Sequence, residues 1–503
     1  MTSNTGRIAK NTLVLYVRMV IVLLITLYTS RIVLKALGID DYGLYNVVGG
    51  VVGLLSFFNG TMSKATQRFI NVSMVKGDDC LHTIFSNSVT IHLLIALAFL
   101  FLGETLGLWY LNAKVAMSAE RVFAANIVYQ ASVVSFAISI VTIPYNAAVI
   151  AYERMTFMAI VSIVDAVLKL GIAFILLAHS SDRLILYGIL LLAITILDFI
   201  LYSAFCKKKF PILEFRLSYD KETFRQLFGY IGWTFVGQMA VVGCNQGNVL
   251  LVNRFHALAA NAAMTVGNQV SNAINGLTTN FQTAFNPQIT KSYAEGDYKY
   301  LGSLVYMTSK LSFCILFAVA LPIAFNIDWV LEFWLDSVPQ LSNTFAILFI
   351  ANGIINAVST PFNYTVLSTG NIRNYQIISA VVFLLDIPVT YVLFSKGMAA
   401  TTVMEVKICV ITAILFVRIF FASRLVDTIH FGKACLDVLL PMVLTVIVAV
   451  GVVYVFNEYI QSSHCRLLYT LLVEAICVVM LWYVVLNRSE RNSVVNFLKS
   501  KHK

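Results

Sequence analysis

Apolar segments long enough to cross a bilayer recur along this chain from residue 12 to residue 486. A transmembrane helix needs roughly 20 apolar residues, and backbone amides in lipid must be satisfied within the element itself. Hydrophobic residues make up 59% of the 503 positions and charged residues only 12%. The sequence therefore predicts an all-α polytopic membrane protein with about 14 transmembrane helices. The predicted spans lie near 12–34, 44–63, 83–103, 121–143, 155–178, 184–205, 229–253, 262–285, 301–325, 343–367, 375–395, 399–422, 435–456 and 467–486.

Lysine and arginine are distributed unevenly between the loops of the two sides. An even number of spans places both termini on one side, and the loops of that side hold most of the basic residues. The opposite loops hold only Lys114, Arg121, Arg183, Arg254, Lys396 and Arg466. Because basic loops stay in the cytoplasm, we expect both termini there. The net charge of +10 then reflects loops that face anionic headgroups, and we expect no nucleic-acid partner.

Motifs of metal, nucleotide and redox chemistry are missing from the sequence. The eight cysteines show no C-x-x-C spacing, and there is no G-x-x-x-x-G-K-[ST] and no H-E-x-x-H. We therefore expect no cofactor, no metal site and no enzymatic activity.

The chain is built from two similar halves separated by its most polar connection. Shifting the sequence by 219 positions aligns residues 36–78 with residues 255–297 without a gap. We predict an N-lobe of six helices (1–205), a cytoplasmic linker (206–226), a C-lobe of six helices (227–424), and two further helices with a basic tail (425–503). Such parallel repeats are typical of transporters whose lobes enclose a central cavity.

A stripe of polar residues runs along the predicted eighth helix. Its members are spaced 3, 4, 3, 4, 3, 4 and so share one helical face over about 32 Å. Unsatisfied amides facing lipid would each cost several kcal/mol, which favours a water-filled cavity. The stripe consists of Thr265, Asn268, Asn272, Asn275, Thr279, Gln282 and Asn286.

The aligned positions of the second helix are all small or polar. They are Asn46, Gly49, Gly53, Ser56, Gly60, Ser63 and Gln67. Gly49 and Gly53 form a G-x-x-x-G pattern, so tight helix packing remains an alternative to a cavity lining there.

Arg18 is a cation inside the first apolar span. Asn11, Val22 and Thr29 lie on the same helical face, which suggests a polar lining. Snorkelling of the guanidinium to the headgroups is the alternative. Elsewhere Asp165 and Lys169 are four residues apart and predict an ion pair, either structural or part of an ion-coupling relay.

Two further features lie in the second half. Gln238 and Asn245 are seven residues apart on the seventh helix and continue the amide lining. Asp386, two residues before Pro388, predicts a bend.

The segment from Thr29 to Phe69 carries a recognisable set of residues. They are Ser30, Arg31, Leu37, Gly38, Tyr42, Gly43, Tyr45, Gly60, Ala65, Arg68 and Phe69. With them the segment resembles the first helical hairpin of bacterial polysaccharide transporters, the O-antigen flippases of the multidrug/oligosaccharidyl-lipid/polysaccharide exporter superfamily. Helix number and the two-lobe plan extend the resemblance over nearly the whole chain.

The resemblance implies a MATE-like fold and a flippase of the inner (cytoplasmic) membrane. Such a flippase moves undecaprenyl-diphosphate-linked oligosaccharide from the cytoplasmic to the periplasmic leaflet by alternating access. Expected partners are this lipid-linked oligosaccharide, membrane lipids and other polysaccharide-assembly proteins. We expect the diphosphate to bind Arg18, and sugar hydroxyls to bind the amide residues. The full set of expected substrate-binding residues is Arg18, Thr29, Asn46, Ser56, Gln238, Asn245, Asn268, Asn272, Asn275 and Gln282, with Asp165 and Lys169 as ion-coupling candidates.

Two other functions compete with this interpretation. A cation-coupled multidrug efflux antiporter is the main alternative, although between Thr12 and Leu37 the only charges are the basic residues Arg18, Arg31 and Lys35. A membrane glycosyl polymerase or ligase is disfavoured because the external loops are short.

Overall fold

The computed structural model is all-helical, as predicted. It describes residues 2–53, 57–114, 119–178, 182–215, 220–256, 258–335, 338–457, 474–476, 478–486 and 490–491. Within these residues, 11 helices are long and apolar enough to cross a membrane. The protein is therefore a multi-pass membrane protein.

The first half contains eight helices. They are α1 (Thr2–Gly53), α2 (Phe57–Lys76), α3 (Asp78–Leu102), α4 (Leu108–Lys114), α5 (Val122–Ala151), α6 (Met155–Ala178), α7 (Arg183–Lys209) and α8 (Lys221–Phe255). A π-helical turn (Gly103–Gly107) joins α3 to α4, and short 3₁₀ turns lie at Ala119–Arg121 and Pro211–Leu213.

The second half continues the pattern. Its helices are α9 (Leu258–Ala294), α10 (Tyr298–Phe325), α11 (Ile327–Trp334), α12 (Ser342–Thr369), α13 (Arg373–Leu384), α14 (Asp386–Ser395), α15 (Thr402–Leu425), α16 (Phe431–Ala434) and α17 (Leu440–Asn457). π-helical turns lie at Cys435–Leu439 and Leu481–Val485.

The predicted eighth span is α9, which carries the polar stripe and is not among these 11 apolar helices. The predicted second span is described only in part, by the end of α1 and the beginning of α2, because residues 54–56 lie outside the described residues. Near Asp386 the helix is interrupted, because α13 ends at Leu384 and α14 begins at Asp386. Leu385 between them keeps helical dihedral angles, and the bend stays a prediction. The last predicted span is described only in part, since residues 467–473 and 477 lie outside the described residues.

The chain forms two compact units. One comprises Lys10–Phe235, and the other comprises Met1–Ala9 together with Val236–Lys503. We call them the N-unit and the C-unit.

The N-unit core is built on α5, which packs against α2, α3 and α7. One cluster joins α1, α5, α6 and α7 through small and β-branched side chains, among them Val33, Ala36, Ala125, Val128 and Ala173. These residues allow the close helix approach that packing in lipid requires.

The α1 helix is broken at Gly38, whose φ of 79° and ψ of 173° favour glycine. The carbonyl of Ala36 just before the break accepts a hydrogen bond of 2.9 Å from the guanidinium of Arg183. The break therefore leaves a backbone acceptor that a charged side chain satisfies.

An arginine also fixes the chain immediately after this break. Arg121 forms ion pairs with Asp41 at 2.7 Å and with Asp182 at 2.8 Å. Asp182 also caps α7 by accepting hydrogen bonds from the backbone amides of Leu184 and Ile185. One cation thus joins α1, just after its break, to the start of α7.

In the C-unit, α12 packs against α9, α10 and α15. Close approach of α9 to α12 depends on Gly267 and Gly353, because a Cβ at either position would lie less than 3.0 Å from neighbouring atoms. A buried apolar cluster joins α8, α9, α12, α14 and α15. It consists of Val252, Ala263, Met264, Phe345, Phe349, Phe394, Ala400, Val403 and Met404.

A buried ion pair attaches the end of the described chain to this unit. Lys310 of α10 lies 3.0 Å from a carboxylate oxygen of Glu490, and the two side chains are only 5% and 10% exposed. The end of the described chain is therefore bound to α10 by an ion pair.

Candidate functional site

Four polar side chains of the predicted stripe are exposed on α9. Thr265, Asn268, Asn272 and Thr279 are all exposed. The two threonine hydroxyls donate to the carbonyls of Asn261 and Asn275, within α9 itself. The exposed amides of Asn268 and Asn272 are the main hydrogen-bonding groups of this face.

The rest of the stripe turns into the C-unit. Asn275 donates to the hydroxyl of Ser271 at 2.9 Å and lies against Gly353. Gln282 is buried, and its amide nitrogen donates to the Ser312 hydroxyl at 3.0 Å and to the Ala357 carbonyl at 2.8 Å. Asn286 is buried as well.

The expectation of one exposed stripe along the whole of α9 is therefore corrected. A strict seven-residue repeat drifts by about 20° per heptad on a straight α-helix. Three heptads separate Thr265 from Asn286, so the pattern rotates by about 60° along the helix. Because of this rotation the stripe begins exposed and ends against α10 and α12. Gln282 is engaged in packing and does not lie with Asn268 and Asn272.

The corresponding polar positions in the N-unit are described less fully. Asn46, Gly49 and Gly53 lie in α1, and Ser56 lies outside the described residues. Gly60 is exposed and Gln67 is buried.

Arg18 is half-buried in α1. Its Nε is buried and has no hydrogen-bond partner within the described part of the chain. The guanidinium interacts electrostatically with Tyr202 of α7. A guanidinium carries five N–H donors, so Arg18 retains capacity to bind an anion.

Thr29 lies farther along α1 and is half-buried. Its hydroxyl donates to the carbonyl of Ile25 at 2.7 Å. This is an ordinary bond within the helix, and it leaves the oxygen available as an acceptor.

The predicted ion pair on α6 is present. Lys169 lies 2.9 Å from a carboxylate oxygen of Asp165, with side chains 46% and 24% exposed. Asp198 of α7 interacts electrostatically with both residues. Two acids and one base thus form a group on the neighbouring helices α6 and α7.

A lysine that the sequence analysis did not single out accompanies Asn245. The ammonium of Lys407, on α15, donates to the Asn245 side-chain carbonyl and lies 5.9 Å from the centre of the Phe349 ring. Asn245 is exposed, and Gln238, two turns earlier on α8, is half-buried. The C-unit therefore carries a cation next to a predicted amide residue.

A fully buried carboxylate lies next to this lysine and asparagine. Asp386 accepts hydrogen bonds from the thiol of Cys244 at 2.9 Å, the amide of Asn248 at 3.0 Å and the hydroxyl of Thr390 at 3.1 Å. Lys407 interacts electrostatically with this carboxylate.

Comparison with known proteins identifies the architecture. Residues 234–392 match the family model described as MatE. No curated protein matches the chain significantly. Solved structures align over most of the chain. A multidrug resistance MATE family transporter of the MOP superfamily in an outward-facing conformation has a TM-score of 0.72 at 12% identity, covering 85% of this chain and 97% of the other.

The chain has the MATE transporter fold. A MATE structure in a straight conformation gives a TM-score of 0.67 at 14% identity, with coverages of 85% and 97%. A MOP superfamily transporter from Pyrococcus furiosus, whose binding pocket is described as having reversed polarity that suggests a different function, gives 0.71 at 13% identity, with coverages of 85% and 96%.

Proposed function

We propose that this protein is a transporter, not an enzyme, that flips undecaprenyl-diphosphate-linked oligosaccharide from the cytoplasmic to the periplasmic leaflet of the inner membrane. It would work by alternating access, in the synthesis of cell-surface polysaccharide such as O-antigen or capsule. The observation that carries the proposal is the exposed amide face of α9 in a chain whose first span contains only basic charges.

Amides suit a saccharide because each can both donate and accept hydrogen bonds, as sugar hydroxyls do. Asn268 and Asn272 are four residues apart on α9, and both side chains are exposed. A face of this kind next to acyl chains would cost several kcal/mol for each unsatisfied amide. We therefore assign these two side chains to the sugar.

The diphosphate requires cations. Arg18 has a buried Nε without a partner in the described residues, and the planar guanidinium can bind two phosphate oxygens at once. Lys407, whose ammonium bonds Asn245, is a second candidate in the C-unit. The polyprenyl chain would remain in lipid, and no cofactor takes part.

A flipping assay tests the proposal. The full-length protein is reconstituted into vesicles with fluorescent lipid-linked oligosaccharide, and access of the label to an external quencher is followed with time. Arg18→Gln is expected to lower the rate about tenfold or more, because a charge-assisted hydrogen bond contributes about 1.5–3 kcal/mol. Asn268→Ala with Asn272→Ala is expected to lower it about threefold to tenfold.

The matched control is Asn371→Ala, which removes an exposed amide of the same unit outside the α9 face. It should leave the rate unchanged. Native rates in the Arg18 and α9 variants would reject these assignments, and absence of flipping by the unmodified protein would reject the function.

A cation-coupled multidrug efflux antiporter is the second candidate. It is supported by the match of residues 234–392 to the MatE model and by the acidic residues Asp165 and Asp198 in the N-unit. It predicts efflux of cationic dyes that is lost in Asp165→Asn. Cells that express the protein and retain dye as fully as cells without it would exclude this function.

A further inference from the structure

Within the described part of the chain, the buried carboxylate of Asp386 has hydrogen-bond donors but no cation bonded to it. Its three donors, from Cys244, Asn248 and Thr390, are neutral groups. A fully buried carboxylate is costly unless an opposite charge lies nearby.

Lys407 supplies that charge from α15 while it bonds elsewhere. Its ammonium donates to Asn245, the residue that follows Cys244 on α8. Cys244 bonds the carboxylate and Asn245 bonds the lysine, so adjacent residues of one helix hold the two members of the pair. The ammonium thus lies at the boundary between the buried acid and the exposed amide.

A second buried hydrogen-bond acceptor lies close to the Asp386 carboxylate. Asn248 is fully buried, and its side-chain oxygen has no hydrogen-bond partner within the described residues. Its amide nitrogen bonds Asp386, so this oxygen is adjacent to the carboxylate. An ammonium has three N–H donors and could satisfy both acceptors at once.

We propose that Lys407 alternates between an inner position on Asp386 and Asn248 and an outer position beside Asn245, where it binds a phosphate of the cargo. Asp386 is then a resident counter-ion that competes with the cargo for the lysine. This inference rests on the proposed function, because it requires a cargo that carries phosphate.

Competition explains how such a site could release a diphosphate. A cation buried in a cleft would hold a polyanion tightly, and a transporter must also let it go. A carboxylate within reach lowers the apparent affinity by occupying the lysine for part of the time. The three neutral donors hold the Asp386 carboxylate in place when the lysine is in the outer position.

Binding measurements on the full-length protein in lipid nanodiscs test the exchange, with farnesyl diphosphate as the probe and farnesol as the uncharged reference. Lys407→Gln should weaken binding of the diphosphate at least about tenfold, equivalent to about 1.4 kcal/mol. Asp386→Asn should tighten it about threefold or more, because the competitor is lost. Lys407→Gln combined with Asp386→Asn should bind as weakly as Lys407→Gln alone.

Two variants of exposed residues in the same unit serve as matched controls. Lys396→Gln removes one positive charge and Asp427→Asn removes one negative charge, and both side chains are exposed. Neither should change the affinity. Lys407→Arg, which keeps the charge, should retain binding within about threefold.

The opposite signs of the two effects distinguish exchange from a structural role. If Asp386→Asn weakens binding as Lys407→Gln does, the pair only stabilises the fold and the inference is overturned. If Arg18→Gln weakens binding but both Lys407→Gln and Asp386→Asn bind normally, this inference fails and the proposed function survives. If the unmodified protein does not prefer the diphosphate to farnesol, both fail.

Discussion

Arg18 and Arg418 are both guanidiniums inside apolar spans, yet their surroundings differ. Arg418 of α15 donates to the Tyr375 hydroxyl at 3.2 Å, to the Asn356 side-chain carbonyl at 3.3 Å and to the Ser359 hydroxyl at 2.8 Å. Arg18 of α1 has a buried Nε without a hydrogen-bond partner in the described part of the chain.

The partners of Arg418 lie on α12 and α13, so this side chain joins three helices of the C-unit. Within the described residues Arg18 Nε has no hydrogen-bond partner, and burial of a charged group without partners is costly. The diphosphate that we propose as its ligand would offset this cost.

The largest expected effect is on stability. Arg418→Met should lower the free energy of unfolding by about 3 kcal/mol or more, because charge-assisted hydrogen bonds are lost and their partners remain. Arg18→Met should change it by less than about 1 kcal/mol. Denaturant titration of both variants in detergent, followed by circular dichroism, measures the difference. Equal losses would mean that Arg18 is also structural.

A smaller effect should separate the two parts of the α9 stripe. Gln282→Leu leaves the Ser312 hydroxyl and the Ala357 carbonyl without their donor, so we expect a loss of about 1–3 kcal/mol. Asn272→Leu removes an exposed amide and should cost less than about 0.5 kcal/mol. The same titration serves for both. A larger loss in Asn272→Leu would assign that residue to packing.

The smallest effect concerns the ion pair of α6. Lys169→Gln should lower the free energy of unfolding by about 0.5 kcal/mol, since half-exposed pairs within one helix contribute little. Lys207→Gln, at the exposed end of α7, is the control and should have no effect. A loss comparable to that of Arg418→Met would show that the pair anchors the N-unit.

Much of the fold could be predicted because it depends on local sequence. Span length and the pair Asp165–Lys169 each involve residues close together in the chain. The shared face of the exposed amides Asn268 and Asn272 could also be predicted, because helical periodicity places them on one side of the helix.

Contacts between distant helices could not be predicted in the same way. Lys407 lies near the start of α15, where a lysine commonly reaches toward the headgroups, and only the packing of α8 beside it reveals Asn245 and Asp386 as its neighbours. The burial of Gln282 does not follow from the polar pattern alone. A polar repeat of 3.5 residues rotates slowly around a helix that has 3.6 residues per turn, so its two ends face different neighbours. Ionisable residues close to the ends of spans are therefore worth testing as site candidates.

The attachment of Glu490 to Lys310 has a practical consequence for anyone shortening this protein. Truncation before residue 490 would leave the buried Lys310 ammonium without its counter-ion in a medium of low dielectric constant. An affinity tag should therefore follow Glu490, so that the ion pair stays intact.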